Sequence, residues 1–398
     1  MNRLLIDIVC VSFLLFFSCK EENLLQPYGG NENSIPTPVS NVQVKNIPGG
    51  AVLHYDLPKD PDLLSVKAIY TATNGSQQTV SASAYVDSLK IVGLGNTNDY
   101  KVTLFTVNHM EKISSPVEVT ITPQVPPVQR VFESLDYSVD FGGFVVSYDN
   151  DTESEVAIYI LRQDSTGNGM EYYDALYTKS KQGNYPVRGL PNKENQFGIY
   201  VRDRYENTSD TILFTETPMR EDLLDKSLFT SMKVVGDVGW NFYEGDPTYA
   251  WDDKVSNTNY AHTDFPVEFP HCFTMDLGVT VKLSRFRFWQ RPGDEVIYQH
   301  GAPKHYKVYG RAEKPEAGSA SDPFAGWTLL MECHSVKPSN LPLGQFSSED
   351  VEFISKGEEF SFPRDIPNVR YLRFEMQESW SGMKCSTIGE LAFWGEIQ

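Results

Sequence analysis

The sequence predicts an all-β protein built from three β-domains, and three observations carry that expectation. Tyr (21), Phe (23), Gly (28) and Pro (24) are frequent, which favours strands and turns over helices. A set of motifs occurs twice in register between residues 38 and 218, in units of about a hundred residues, the size of a seven-stranded sandwich. From 248 to 395, short alternating strands are separated by long polar loops rich in Trp, His, Arg and Gly. A chain of 398 residues exceeds one ordinary core and suits several domains.

Hydrophobic content of 40% and aromatic content of 13% are enough for packed cores. A net charge of -19 argues against nucleic-acid binding, whose affinity comes largely from Lys and Arg. It argues equally against a basic patch on an anionic membrane, and reads as a solubilising surface.

Residues 1–18 read as a signal peptide. Arg3 supplies a positive charge, and the apolar run at 8–17 is shorter than the roughly 20 residues that span a bilayer. Ser18-Cys19 directly after that run resembles the lipobox of bacterial lipoproteins. The resemblance implies acylation at Cys19 and an N-terminus held in a membrane; a signal peptide cut elsewhere is the alternative. Lys20-Glu21-Glu22 resembles the export signal of Bacteroidetes lipoproteins, which implies the outer face of the outer membrane. Residues 19–37, with Gly, Asn, Ser and Pro, read as a flexible linker.

Of five cysteines, Cys10 lies in the signal and Cys19 is the lipid acceptor. Cys272, Cys333 and Cys385 remain, so at most one disulfide forms within the chain. A Cys272–Cys385 bridge and unpaired buried thiols both fit that count. There is no CxxC and no zinc-type spacing.

The two repeated modules cover 38–124 and 125–218. Gly49-Gly50-Ala51-Val52-Leu53-His54-Tyr55-Asp56 corresponds to Gly142-Gly143-Phe144-Val145-Val146-Ser147-Tyr148-Asp149. Gly93-Leu94 precedes a strand at 100–104, and Gly189-Leu190 precedes one at 197–201. Each module ends in a Thr-rich strand and a proline. Leu53 and Tyr55 face opposite to Val52, His54 and Asp56, a period of two. The aromatic that follows each Gly-Leu resembles the fibronectin type III pattern, so both modules are expected to be Ig/fibronectin-like spacers. Three prolines in 122–127 stiffen their junction. Residues 219–229 are charged, with Leu223, Leu224 and Leu228 on one helical face, which predicts a short connecting helix.

The remaining 230–398 carries the chemistry. Its motifs are Ala250-Trp251-Asp252-Asp253, Thr258-Asn259-Tyr260, Asp276-Leu277-Gly278, Tyr306-Lys307-Val308-Tyr309-Gly310, Trp327-Thr328-Leu329-Leu330, Arg370-Tyr371-Leu372-Arg373-Phe374 and Glu390-Leu391-Ala392-Phe393-Trp394-Gly395. In this order they resemble the discoidin domain, the coagulation factor five/eight type C family, a galactose-binding-like jelly roll. Two positions depart from it: Asp253 stands where the family has glycine, and Tyr260 where it has tryptophan.

That resemblance implies a structural calcium held by Asp252, Thr258 and Glu390; two carboxylates from separate strands suit a hard cation. The alternative is that Asp252 caps its own turn and Glu390 pairs with an Arg. The resemblance also implies a sugar site in the loops. A sugar needs a flat apolar face and planar polar groups. Trp380 is the expected stacking platform, Arg291 the bidentate donor, and Tyr298, His300, Lys304 and His262 their companions. Trp289 and Trp394 lie in strands and are expected in the core. Arg285 and Arg287, alternating with Phe286 and Phe288, are expected on the solvent face.

Catalysis finds no support. Asp294 and Glu295 are adjacent and do not flank a glycosidic bond, and no GxSxG, HExxH or P-loop occurs. The whole arrangement resembles surface lipoproteins of Bacteroidetes polysaccharide-utilisation systems. It implies a non-catalytic, outer-membrane-anchored glycan binder beside glycan-importer subunits. A protein-docking component without its own sugar site is the alternative.

Overall fold

The computed structural model describes residues 34–243, 245–293, 296–316 and 322–398. The expected signal peptide, the acylated Cys19 and most of the linker lie outside the described residues. Among the described residues no helix is long and apolar enough to cross a membrane.

The chain is all-β, and its first two domains are two-sheet β-sandwiches. In the first, Ser40–Ile47, Gly50–Asp56 and Ser88–Ile91 form one sheet. Gln77–Ser83, Leu63–Thr71, Tyr100–Asn108 and Val117–Ile121 form the other. The second repeats this topology strand for strand, with Asp136–Asp140, Gly143–Asp149 and Gln182–Val187 against Met170–Thr178, Val156–Gln163, Asn195–Asp203 and Thr208–Glu216. Period-two burial builds each core: Leu53 and Tyr55 point in while His54 and Asp56 are exposed. Phe144, Val146 and Tyr148 repeat the pattern.

The repeated glycines have a shared cause. Gly49 and Gly142 sit at φ 62° and 61° in the hairpin turns. Their carbonyls accept from the backbone N–H of Leu94 (3.0 Å) and Leu190 (2.9 Å), the leucines of the repeated Gly-Leu pairs. The following glycine has no room for a side chain. A Cβ on Gly50 would lie 2.0 Å from the Ile91 carbonyl oxygen, and one on Gly143 1.9 Å from that of Val187. Gly143→Ala is therefore expected to push the sheet apart and cost about 2–3 kcal/mol, the range for overpacking against an unyielding neighbour. Urea denaturation checks this, and an unchanged midpoint would contradict the close approach.

The proline-rich junction leads into an α-helix, Pro127–Ser134, with proline in its first turn where the missing N–H costs nothing. The helix buries Val128 and Val131 in the second core. The expected helix at 219–229 does not form. Asp222–Leu223 instead adds a strand beside Gly395 and Trp394, and Lys226–Leu228 makes one 3-10 turn. Tertiary pairing overrides helical spacing here, because Leu224 is buried in the third core.

The third domain centres on one long strand, His271–Trp289. Its register shifts between Asp276 and Val281, and Gly278 there has φ 77°. The first half pairs with Thr230–Met232 and Val369–Ser379, the second with Glu390–Ile397 and Glu358–Ser361. The sheet thus wraps round a core of Phe273, Phe286, Phe288, Tyr306, Phe374, Leu391 and Phe393.

The opposite face of the second half departs from expectation. Trp289 and Trp394 are half-buried there, not in the core, and Arg285 is only 8% exposed. The Arg285 guanidinium lies 4.0 Å from the Trp394 ring centre and 3.0 Å from Glu221 of the connecting segment. Arg287 lies over both tryptophans. Cation–π stacking and the Glu221 cover give a nominal solvent face an interior. Arg364 also reaches from this domain to Asp140 of the second sandwich (3.2 Å). Cys272, Cys333 and Cys385 are all buried and unbonded, so the Cys272–Cys385 bridge does not form.

Candidate functional site

Loops at one end of the third domain enclose a pocket of about 310 Å³ lined by Tyr243, Tyr260, His262, Phe265, Arg291, His300 and Met383. That volume is at the small end for ligand pockets and suits one or two sugar rings. A short bridge, Ala261–His262 with Thr387–Ile388, holds the floor. Arg291 leaves the end of the central strand. His300 sits in a turn at φ 47°, and its carbonyl accepts from Thr387 Oγ1 at 3.2 Å.

Arg291 is positioned from two sides. Its Nε donates to the backbone carbonyl (3.0 Å) and Oδ1 (2.6 Å) of Asn257. Its guanidinium carbon lies 4.0 Å from the Tyr260 ring centre. Its two terminal amino groups have no hydrogen-bond partner among the described residues, so a planar, oriented donor pair is left at the pocket. His262 is 5% exposed, and its Nδ1 donates to the Thr263 carbonyl. Burial lowers its pKa, the Thr263 bond opposes this, and Arg291 lowers it further. The ring is therefore neutral, with Nε2 unprotonated. Tyr243 (64% exposed) and Phe265 (40%) supply apolar faces at the rim.

Of the residues the sequence singled out for sugar contact, Arg291, His262 and His300 meet here, and three do not. Tyr298 is 1% exposed, with its hydroxyl donating to the Val336 carbonyl at 3.1 Å, and offers no surface. Trp380 packs edge-on against Tyr298 at 5.1 Å in a small core with Ile297 and Ile354, and its Nε1 donates to Ser335 Oγ at 3.2 Å. It is half-buried, and its packing against apolar neighbours anchors the loop. Lys304 pairs with Glu378 at 2.7 Å and lies 5.5 Å from the Trp380 ring, on that same anchor. Met383, further along the Trp380 loop, is what reaches the pocket. Tyr243, Phe265 and Met383 carried no sequence signal beyond aromatic clustering near 240–243 and 265–269. Asp294 and Glu295 lie outside the described residues.

The residues at the first turn do not fit the implied calcium. Glu390 is 2% exposed, and its Oε1 lies 2.5 Å from Lys226 Nζ. The same ammonium lies 2.6 Å from Asp253 Oδ1. Asp252 accepts from the Lys254 backbone N–H at 3.0 Å and the Asn259 amide at 3.2 Å, which caps the turn. Thr258 is exposed, with its hydroxyl 2.9 Å from that of Ser256. Lysine thus supplies the positive charge that a dication would bring. Asp253, in the family's glycine position, takes φ 64°. Burial pushes the Glu390 carboxyl up to about 7; Lys226 opposes this, while Asp252 and Asp253 add to it.

Comparison with known proteins adds three family models, each described only as a domain of unknown function. They are DUF4959 over residues 36–123, DUF5126 over 124–227 and DUF5000 over 251–395. Among solved structures, SusE-like protein BT2857 is 33% identical, covering 69% of this chain and 100% of its own, with a TM-score of 0.45. A putative chitobiase fragment from Bacteroides thetaiotaomicron is 18% identical over 44% of this chain and 94% of its own (TM-score 0.31). A two-domain fibronectin type III segment of chicken tenascin is 14% identical over 46% of this chain and 99% of its own (TM-score 0.22). No curated protein matches the chain. The superpositions are loose; identity over the full length of the first of these structures is what bears on family.

Proposed function

The chain belongs to the SusE-like protein family, and from that premise we propose that it is a non-catalytic, lipid-anchored surface protein of a polysaccharide-uptake system. In this reading it binds glycan through its discoidin-like C-terminal domain, with the two sandwiches as spacers and Cys19 as the outer-membrane anchor. Glycan-importer subunits are its natural neighbours. The observation that carries the reading is the Arg291–Tyr260 pair, 4.0 Å apart, in a pocket rimmed by exposed aromatic rings. Tyr243 and Phe265 cover the C–H face of a sugar, while the Arg291 amino groups and His262 Nε2 read its hydroxyls.

The test is a glycan array with the full chain in detergent. Binding is expected, weakened by about tenfold or more in Arg291→Ala, since a charge-assisted bidentate contact is worth roughly 1.5–3 kcal/mol. Tyr260→Ala loses the platform that orients Arg291 and falls in parallel. Trp380→Leu binds as the parent does once folded. Retained binding in Arg291→Ala, or no binding by the parent, would sink the assignment.

One observation favours the docking alternative as a second reading. Tyr159 and Tyr200 stack at 4.9 Å on the outer sheet of the second sandwich, beside Tyr172 (61% exposed) and Tyr177 (73%). Such an aromatic face suits a protein partner. An unresponsive array together with importer pull-down lost in Tyr177→Ser would establish it.

A further inference from the structure

The third domain carries a second constellation, which shares no residue with the pocket. His305 lies on the strand Pro303–Arg311 and His334 ends the neighbouring strand Thr328–His334; the two are direct cross-strand partners. Directly opposed residues leave an antiparallel sheet on the same face, and Glu332, two positions before His334, shares that face. The imidazole rings stack at 4.3 Å with 12° between their planes. Glu332 Oε1 lies 2.5 Å from His305 Nε2. One ligand atom from each of the three residues lies within 4.8 Å of the others, and no other such group of His, Cys, Asp or Glu occurs among the described residues.

We propose that His305, Glu332 and His334 form a binding site for a divalent transition-metal ion, with Zn2+ the best chemical fit. Two imidazoles and one carboxylate suit a borderline-soft ion, whereas Ca2+ and Mg2+ require shells of oxygen. The ligands stand on paired strands, so strand register rather than a loop sets their spacing. His305 is half-buried, and Glu332 and His334 are exposed, so an ion enters freely.

The short Nε2–Oε1 contact is what such a site is expected to hold without metal, a proton between ring nitrogen and carboxylate. A metal ion takes that proton's place and draws in His334. The wider charge field is mixed: Lys307 lies 4.0 Å from Glu375, and Glu378, paired with Lys304, is the cross-strand neighbour of His305.

Three protein ligands leave a coordination position open for water or for a histidine or carboxylate from another chain. Bound metal ties the edge strand Thr328–His334 to its neighbour. It does so next to Ser335, which receives the Trp380 hydrogen bond, so it also braces the loop that carries Met383 to the pocket.

The experiment is a calorimetric titration of the chelator-treated full chain in detergent with Zn2+ alone, and separately with Ca2+. Zn2+ is expected to bind at about one equivalent and Ca2+ not at all. His334→Ala and Glu332→Gln each weaken Zn2+ binding by about tenfold or more, with thermal melts unchanged because both residues are exposed. Co2+ in place of Zn2+ gives a visible ligand-field band that His305→Ala abolishes. Failure of the parent to take up Zn2+ overturns the proposal. So does equal uptake by the His305→Ala/Glu332→Gln/His334→Ala variant, which would put the ion on the remaining histidines. Glycan binding plays no part in these readouts.

Discussion

Replacing Arg373 with methionine is expected to destabilise the C-terminal domain by about 3–5 kcal/mol, the cost of breaking a buried ion pair from one side. Arg373 is 0% exposed in the strand Val369–Ser379, with its guanidinium 3.0 Å from Asp237 Oδ1. That contact is a charge contact rather than a well-directed hydrogen bond, because neither Asp237 Oδ1 nor Arg373 Nε has a hydrogen-bonding partner of good geometry. The other nitrogens donate to the backbone carbonyls of Val235 (2.9 Å) and Pro323. Arg373 thus fastens two loops to the sheet. Burial raises the Asp237 pKa, against the opposing pull of the Val234 N–H, Thr274 and Arg373. Without the guanidinium, Asp237 is left as an uncompensated buried acid. Arg373→Met/Asp237→Asn is expected to recover part of the loss, because Asn still accepts from the Val234 N–H (3.0 Å) and carries no charge. Urea unfolding of the two variants measures both effects; a single-variant loss below about 1 kcal/mol would mean the pair lies in higher dielectric than its burial indicates.

Lys226→Met is expected to cost about 3 kcal/mol at pH 8 and much less at pH 5, since removing one member of a buried pair leaves the other exposed to the full desolvation penalty. The sign follows from Glu390. Its folded pKa is about 7 against an ordinary 4.5, so between those values the folded state holds a proton the unfolded state has lost. Stability from this group is complete below about 4.5 and declines as pH rises through 7. Glu358, also pushed up to about 7 by burial, declines in the same window in parent and variant alike and cancels from the comparison. Loss of Lys226 drives the Glu390 value higher, so the deficit grows with pH. Glu390→Gln in the same background removes the pH dependence of the difference. Melting curves from pH 5 to 8 show this. Chelator and added Ca2+ leave the parent melt unmoved, whereas a calcium clamp would respond to both.

Some of this architecture was legible in the residues. Gly49-Gly50 and Gly142-Gly143 mark turns that need positive φ and a bare second position, and both needs are local. Leu53 and Tyr55 against His54 and Asp56 state which face is buried. Arg291, His262 and His300 were legible as polar loop residues, and they line one pocket. The helix expected at 219–229 fails because the same leucine spacing serves a different arrangement, with Leu223 exposed in an edge strand, Leu224 buried and Leu228 exposed in a 3-10 turn. The packing of Trp380 on Tyr298 is not legible, because an indole among polar neighbours looks the same in sequence whether it faces solvent or a hidden ring.

By itself, then, the sequence determined the all-β class, the duplicated sandwich and the alternating faces of its strands. Each follows from a two-residue period or from backbone angles that few residues adopt. Only the tertiary structure decided that Lys226 neutralises Glu390 across 164 positions, that Arg285 is roofed by Glu221, and that Tyr243, Phe265 and Met383 complete the Arg291 pocket. Those meetings depend on how separate loops converge once the sheet has wrapped. Burial then sets the strength of each charge and the use of each ring.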